Sequence, residues 1–292
     1  MYMKHRIILT LVAILCFSGV SYGWGWSHKL IAYMAQKNCT ETTRAELDRY
    51  MDVPLADISM WMDTYRDYDW GGKDWSEAPE YVLGTTYWHM VSIDKDGNAM
   101  MESGRKDPNG NGLPHLIASI EKLKNYKEMT DSAVVVNLKY LVHLMGDNHC
   151  PAHYYYEQMP ADKNGVSGLN SRFGFENGKY NGKTDSYHGL FDRGPERVHP
   201  QFKQKLKPFT EHIDTMCVAS RRKIIEGDVK HWVSESGKRC WEIYTWGWKP
   251  GKEYDDTFYE EHGDLIIYQI QIAAYRLAHT LNTIFDPEYK GL

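Results

Sequence analysis

Several side chains that could bind a metal ion lie within residues 143–153, whose sequence is HLMGDNHCPAH. His143 and Asp147 are four residues apart, so they share one face of a helix. His153 follows this helix and would reach back towards Asp147. Histidine nitrogens and aspartate oxygens are typical zinc ligands. Burying three such groups without partners would cost on the order of several kcal/mol. The stretch therefore predicts a metal site at a helix end.

Residues of the same types recur elsewhere in the chain. They are Trp24 and His28 near the start, Asp63 in WMD, His89 in WH, and His188 with Asp192, which are four apart in YHGLFD. Each of these is weak evidence alone. A single histidine such as His89 is more often a core residue than a ligand, and an isolated Asp63 is most simply a surface charge.

Together these motifs resemble the S1/P1 nucleases, trinuclear zinc enzymes specific for single strands. The shared order is Trp-Gly…His, Trp-x-Asp, Trp-His, His-x-x-Gly-Asp-x-His-x-Pro-x-His and His-x-x-Phe-Asp, and it runs through the chain from Trp24 onwards. The resemblance implies an all-α fold, a compact multi-helix single domain of the zinc phospholipase C and S1/P1 nuclease type. We expect this domain to cover residues 24–292.

The resemblance also implies three zinc ions. The ligand sets are Asp63, His89 and His143 for one ion; His28 with the amine and carbonyl of Trp24 for the second, joined to the first by Asp147; and His153, His188 and Asp192 for the third. His149 lies inside the motif but is not a ligand in the family.

The implied activity is hydrolysis of single-stranded RNA or DNA to 5′-phosphate products, with 3′-nucleotidase activity as a further expectation. A metal-activated water attacks phosphorus, and Asp63 is the catalytic residue that orients this water. Unpaired bases are usually bound by aromatic stacking. Met90 stands where the family often has an aromatic residue, and Tyr154, Tyr155, Tyr156, Tyr187 or Phe191 could take its place. Of these we expect Tyr154 and Tyr187 to contact the substrate.

Two other functions remain open. A zinc-dependent phospholipase C shares the N-terminal Trp and the His-x-x-Gly-Asp stretch, but that family ends in His-x-x-x-Glu, whereas this chain has His188 and Asp192. A secreted binding protein with purely structural zinc is the second alternative. It is disfavoured because structural zinc sites are usually single and rich in cysteine.

The first 23 residues predict a signal peptide. A basic start precedes the apolar run IILTLVAILCFSGV, and Ser21 and Gly23 fit cleavage before Trp24. We therefore expect a secreted or periplasmic monomer without a membrane anchor. Cleavage removes Lys4 and Arg6, which changes the formal net charge from −5 to −7. A broad basic surface for nucleic acid is thus excluded, and phosphate affinity must be local.

Four cysteines remain after cleavage: Cys39, Cys150, Cys217 and Cys240. In an oxidising compartment they could form up to two disulfides, of which Cys217–Cys240 is the easiest pairing between neighbouring helices. For Cys150 a free buried thiol and a structural disulfide are both open.

The elements that position these residues are predicted to be almost all helical. The expected helices cover residues 28–36, 40–51, 57–67, 114–129, 132–147, 198–227, 230–245 and 256–285. Thr40 followed by Thr43 and Glu46 indicates a helix start, and Pro151 predicts that the central helix ends near Asn148 or Cys150. Residues 85–94 read as a strand or extended segment, and 68–84 and 154–187 as loops.

Overall fold

The computed structural model describes residues 25–64, 84–104, 110–155, 179–184, 187–244 and 253–292. For residues 179, 183, 184, 187 and 241–244 only the backbone is described. The predicted signal peptide, Trp24, residues 68–83 and most of the predicted loop 154–187 lie outside these ranges.

Helices dominate the described chain, which confirms the all-α expectation. They are α1 (Gly25–Lys37), α2 (Glu41–Tyr50), α3 (Leu55–Ile58), α4 (Gly112–Leu123), α5 (Asp131–Asp147), α6 (Tyr187–Val198), α7 (Leu206–Ile213), α8 (Val218–Ile224), α9 (Val229–Tyr244) and α10 (Thr257–Phe285). Short 3₁₀ segments cover Thr85–His89, Tyr126–Glu128, Pro151–His153 and Pro200–Phe202.

The longest helix, α10, forms the centre of the core. It packs against α1, α2, α4, α5, α6 and α8. Its residues from Ile266 to Leu281 are mostly buried, as expected for a segment that is apolar on nearly all sides.

Local signals located the ends of α2 and α5 correctly. The Thr40 side chain accepts a hydrogen bond from the Thr43 amide, and the Thr130 side chain caps α5 in the same way. Helix α5 ends at Asp147, with Asn148 as its C-cap. The residues of the 143–153 stretch therefore lie in the last turn of α5 and in the 3₁₀ segment that follows.

Two predicted helices are interrupted in the structure. The helix expected at 57–67 is split into α3 and a helical turn at 61–64, and the Ser59 carbonyl at this break accepts a hydrogen bond from His143. The helix expected at 198–227 is split into α7 and α8. Between them Asp214 is bound by Lys37 and Arg221 instead of continuing a helix.

The segment 85–94 contains a 3₁₀ turn before its extended part. Its strand β1 (Val91–Ser92) pairs in parallel with β2 (Tyr154–Tyr155), with Val91 opposite Tyr154. Parallel pairing aligns the residues that precede the two strands. His89 and His153, one from each segment, are thereby brought side by side.

The predicted loop 154–187 also contains strands. β3 (Lys179–Tyr180) and β4 (Lys183–Thr184) form a hairpin, and β5 (Glu253–Tyr254) pairs with β3 in parallel. The turn residues Asn181 and Gly182 both have positive φ, 47° and 76°. An Asn-Gly pair is the usual sequence for such a turn, so this hairpin was detectable from the sequence.

The structure shows free thiols at Cys39, Cys150, Cys217 and Cys240. The expected Cys217–Cys240 disulfide is therefore not formed, because Cys217 is exposed at the start of α8 whereas Cys240 is buried in α9. Cys150 is a buried thiol, one of the two alternatives left open.

Within the described part of the chain, every helix is too short or too polar to cross a membrane.

Candidate metal centre

The end of α5 carries two site residues on one buried face. His143 and Asp147 are 0% and 1% exposed, and His143 Nε2 lies 3.1 Å from Asp147 Oδ2. The other ring nitrogen, His143 Nδ1, donates to the Ser59 carbonyl at 2.7 Å. This hydrogen bond fixes the ring so that Nε2 faces the aspartate.

Asp147 contacts different histidines with its two oxygens. Oδ2 lies 2.8 Å from His89 Nδ1 and 3.1 Å from His143 Nε2. Oδ1 lies 3.1 Å from His28 Nε2 and 3.3 Å from His153 Nδ1. A carboxylate arranged in this way can bridge two neighbouring metal ions.

Asp63 lies beside the first of these histidine pairs. Its Oδ1 is 3.8 Å from both His89 Nδ1 and His143 Nε2, and its side chain is 1% exposed. Two groups of three residues could each hold a metal ion, because the ligand atoms within each group lie within 4.8 Å of one another. The groups are Asp63 with His89 and His143, and His28 with His143 and Asp147.

A second cluster adjoins the first through His153. Its Nδ1 donates to the His89 carbonyl at 2.7 Å, which β1–β2 pairing makes possible. His153 Nε2 lies 2.8 Å from His188 Nε2, and His188 Nε2 lies 3.4 Å from Asp192 Oδ1. His188 and Asp192 are four apart on α6, as their spacing predicts.

The structure thus brings together eight of the predicted ligands. They are His28, Asp63, His89, His143, Asp147, His153, His188 and Asp192. Trp24, the ninth, lies outside the described residues.

The donor set of this centre fits a divalent metal. Because His143 Nδ1 donates a proton to a carbonyl, the neutral ring carries a lone pair on Nε2. That lone pair faces Asp147 Oδ2 at 3.1 Å and His89 Nδ1 at 3.0 Å. Either protons or a cation must therefore lie between these atoms, and imidazole and carboxylate donors suit zinc.

The pKa values reflect the same crowding. Burial lowers the pKa of His143, but the carboxylates of Asp147 and Asp63 outweigh burial and raise it to about 8. Burial also raises the pKa of Asp147, yet His153, His143 and His89 hold it well below its usual value. Burial and the neighbouring His143 lower the pKa of His28.

Gly146 makes room for His28. The His28 ring stacks on the His143 ring, with centroids 4.1 Å apart and planes 10° apart. A Cβ atom on Gly146 would lie 2.5 Å from His28 Nδ1. The motif shows a glycine at this position, but only the structure shows which ring requires it.

His149 belongs to a supporting network. Its Nδ1 donates to the Met145 carbonyl at 2.7 Å, and its Nε2 accepts from Arg276 at 3.1 Å. Burial and the Arg276 charge lower the pKa of His149 to about 3, so the ring is neutral. Arg276 also forms an ion pair with Glu235. No signal in the sequence linked Arg276 to this stretch.

The predicted role of Tyr154 in substrate contact is wrong. Its side chain is 0% exposed. The hydroxyl oxygen lies 2.6 Å from the Asn148 carbonyl and 2.9 Å from the Val233 carbonyl, which share its single hydrogen and anchor the ring in the core. The side chain of Tyr187, the other candidate, lies outside the described residues.

Comparison with known proteins gives two matches. The sequence model of the S1/P1 Nuclease family matches residues 24–286. The chain is also similar to a curated protein named Nuclease S1 from Aspergillus oryzae (strain ATCC 42149 / RIB 40), with 26% identity over 200 residues. This alignment covers 64% of the present chain but only 59% of the fungal protein.

Proposed function

The chain belongs to the S1/P1 nuclease family, and on this premise we propose that it is an exported zinc-dependent phosphodiesterase. Its substrate is single-stranded RNA or DNA, which it cleaves to 5′-phosphate products, and it also removes the phosphate of 3′-nucleotides. The observation that carries the proposal is the double contact of Asp147, whose two oxygens face separate histidine groups.

We assign three zinc sites to the metal centre. Their ligands are Asp63, His89 and His143; His28 with the amine and carbonyl of Trp24; and His153, His188 and Asp192, with Asp147 shared by the first two sites. Zinc bound there would lower the pKa of water and neutralise phosphate charge.

Local charge is what an acidic protein needs to bind a polyanion. The formal net charge of −5 gives no general attraction for nucleic acid. Eight buried or half-buried histidine and aspartate side chains lie together and form a compact cation-binding group. The phosphodiester is therefore bound at this point and not along a basic surface.

Asp63 has the catalytic role in this proposal. It is buried, and its Oδ1 lies at equal distances from His89 and His143. From this position Asp63 orients the attacking water and accepts its proton on a carboxylate oxygen. His143, held by Ser59, and His153, held by the His89 carbonyl, keep the surrounding donors in fixed orientations.

Export completes the metal centre. The amine of Trp24 becomes a ligand only after residues 1–23 are removed, so the precursor lacks a complete second site. An intact mass of the exported protein under non-denaturing conditions tests this directly. A chain beginning at Trp24 with fewer than three zinc ions would refute the trinuclear assignment.

The substitution Asp63→Asn tests the activity. We expect the variant to fold and to lose at least about a hundredfold in activity on single-stranded nucleic acid. Asp96→Asn, at an exposed aspartate paired with Lys95, is the matched control and should retain wild-type activity. Full zinc content with undiminished activity in Asp63→Asn would refute the role of Asp63.

Hydrolysis assays of the wild-type protein distinguish between the substrate classes. Hydrolysis of single-stranded RNA or DNA without hydrolysis of phosphatidylcholine supports the proposal. The opposite selectivity would identify a phospholipase C, and a zinc-loaded protein without hydrolase activity would show that the zinc is structural.

A further inference from the structure

A cavity of about 360 Å³ opens between the first turns of α1 and the chain that runs from Asp57 in α3 to Thr64. It is lined by Gly25, Trp26, Lys29, Asp57, Met60 and Thr64. This volume falls within the range of small-molecule sites. None of these residues belongs to the ligand sets described above.

The cavity is continuous in sequence with the metal centre at two points. Lys29 directly follows His28, and Thr64 directly follows Asp63. His28 and Asp63 are buried, whereas Lys29 and Thr64 are exposed. Successive residues of a helix point in directions about 100° apart. His28 and Asp63 therefore face the metal centre, whereas Lys29 and Thr64 face the solvent.

Charge and aromatic surface are both present in the cavity. Lys29 and Asp57 are exposed, and within the described ranges neither forms an ion pair. Trp26 is half-buried, and its indole N–H is buried without an acceptor among the described residues. The cavity therefore offers a cation, a carboxylate and an aromatic ring.

Two of the aromatic residues that the sequence suggests for stacking are buried, since Tyr154 and Phe191 are 0% exposed. Tyr155 is half-buried, and the side chains of Tyr156 and Tyr187 lie outside the described residues. Trp26 is a further aromatic candidate, because it lines a cavity whose residues Lys29 and Thr64 directly follow His28 and Asp63 in the chain.

We infer that this cavity is a subsite for one nucleotide of a single-stranded nucleic acid, with the base against Trp26 and a phosphate at Lys29. The inference rests on the proposed function for its substrate class. Stacking on an aromatic ring accepts any base, and a lysine ammonium binds phosphate as a point charge.

Asp57 orients the nucleotide. Its carboxylate repels phosphate, so the phosphate lies on the Lys29 side of the cavity and the base on the side of Asp57. A carboxylate accepts hydrogen bonds from exocyclic amino groups of bases. The subsite therefore favours adenine and cytosine over thymine and uracil.

The test measures binding of a labelled tetradeoxyadenylate with phosphorodithioate linkages, a probe that keeps its negative charges and resists hydrolysis. The zinc-loaded wild type is compared with Trp26→Leu, Lys29→Gln and the control Lys122→Gln, at an exposed lysine of α4. A second probe of the same length carries abasic sugars. Affinity is followed over a range of salt concentrations.

Loss of stacking in Trp26→Leu should weaken binding of the adenine probe about 5- to 150-fold and leave binding of the abasic probe within about twofold of the wild type. In Lys29→Gln the slope of log K against log salt should become less negative by about 0.7, the contribution of one phosphate contact to a single strand. Lys122→Gln should change neither quantity.

Wild-type binding by both variants would refute the subsite, as would equal losses by Trp26→Leu on the adenine and abasic probes. These outcomes leave the proposed function untouched if the wild type still hydrolyses single strands. A wild type that binds with the expected dependence on Trp26 and Lys29 but hydrolyses no strand would refute the proposed function and retain the subsite.

Discussion

The His28 ring occupies the space that a side chain at Gly146 would need. A Cβ atom there would lie 2.5 Å from Nδ1 and 2.7 Å from Cε1 of His28. Helices α1 and α5 are therefore in contact where the His28 imidazole packs directly on the backbone of Gly146. Their close approach brings His28 Nε2 within 3.1 Å of Asp147.

Gly146→Ala is expected to displace His28 and to lower the zinc content of the purified protein. Alanine favours a helix by about 1 kcal/mol over glycine, but the clash with the ring costs about 1–3 kcal/mol. Metal analysis and thermal unfolding measure the two effects separately. Gly263→Ala is the matched control, because a Cβ there would clash with Val198, away from the centre. Equal zinc content in both variants would contradict the prediction.

Asp147→Asn and Asp192→Asn should differ in the number of zinc ions lost. The asparagine amide keeps one oxygen and replaces the other with a donor that cannot bind metal. Asp147 faces two groups of histidines, whereas Asp192 contacts His188 in one. With the three zinc sites proposed above, we expect about one zinc ion to remain in Asp147→Asn and about two in Asp192→Asn, with activity reduced more than about a hundredfold in the former. Equal loss in both would show that Asp147 does not bridge.

The local features of this centre were predictable from the sequence. The spacing of four residues between His143 and Asp147, and between His188 and Asp192, requires only helical geometry. The end of α5 follows from its apolar run and from Pro151, which lies just beyond it. These signals act over a few residues, so a single sequence contains them.

Contacts between distant segments were not predictable in this way. Ser59 is 84 residues from His143, whose ring it holds. Tyr154 looked like a surface tyrosine because its burial depends on Val233, 79 residues further along. The role of Arg276 depends on His149, 127 residues away. Such pairings are set by how helices that are distant in sequence pack against each other, which local periodicity does not encode.

Asp214 should make the free energy of unfolding depend measurably on pH in the acid range. Burial raises its pKa, but hydrogen bonds from Tyr275, Lys37 and Asn38 outweigh burial and hold the pKa below its ordinary value of 3.8. When the pKa of a carboxyl is lower in the folded protein than in the unfolded chain, its ionised form stabilises the fold. This stabilisation is complete at pH values above the unfolded-state pKa and is lost as the pH falls through the folded-state pKa. The contribution of Asp214 is therefore full near neutral pH and declines below about pH 4.

The measurement is the difference in free energy of unfolding between the wild type and Asp214→Asn at several pH values, which cancels effects common to both proteins. We expect a loss of about 1–3 kcal/mol at neutral pH that shrinks below about pH 4. Asp96→Asn should lie within about 0.5 kcal/mol of the wild type throughout, since it removes only an exposed pair. A difference for Asp214→Asn that grows in acid would have the wrong sign.

Two buried asparagines should respond oppositely to truncation. The Asn111 amide donates to the carbonyls of Met100, Met101 and Glu102, and its oxygen caps α4 at the Leu113 amide. Asn148 is 0% exposed, and neither its side-chain nitrogen nor its oxygen has a hydrogen-bond partner among the described residues. Asn148 therefore carries the desolvation cost of an amide without the compensating bonds.

Replacement by alanine removes the same atoms at both sites and therefore leaves cavities of similar size. The difference between the two changes in the free energy of unfolding then reports hydrogen bonding. Asn111→Ala should lower the free energy of unfolding by about 2–4 kcal/mol, because three carbonyls and a helix start lose their partner. Asn148→Ala should fall within about 1 kcal/mol of the wild type or exceed it, because the burial cost of the amide disappears. Denaturant unfolding of the zinc-loaded proteins measures both changes. Equal destabilisation would mean that the Asn148 amide is hydrogen-bonded in solution, and the last turn of α5 would then owe part of its position to that bond.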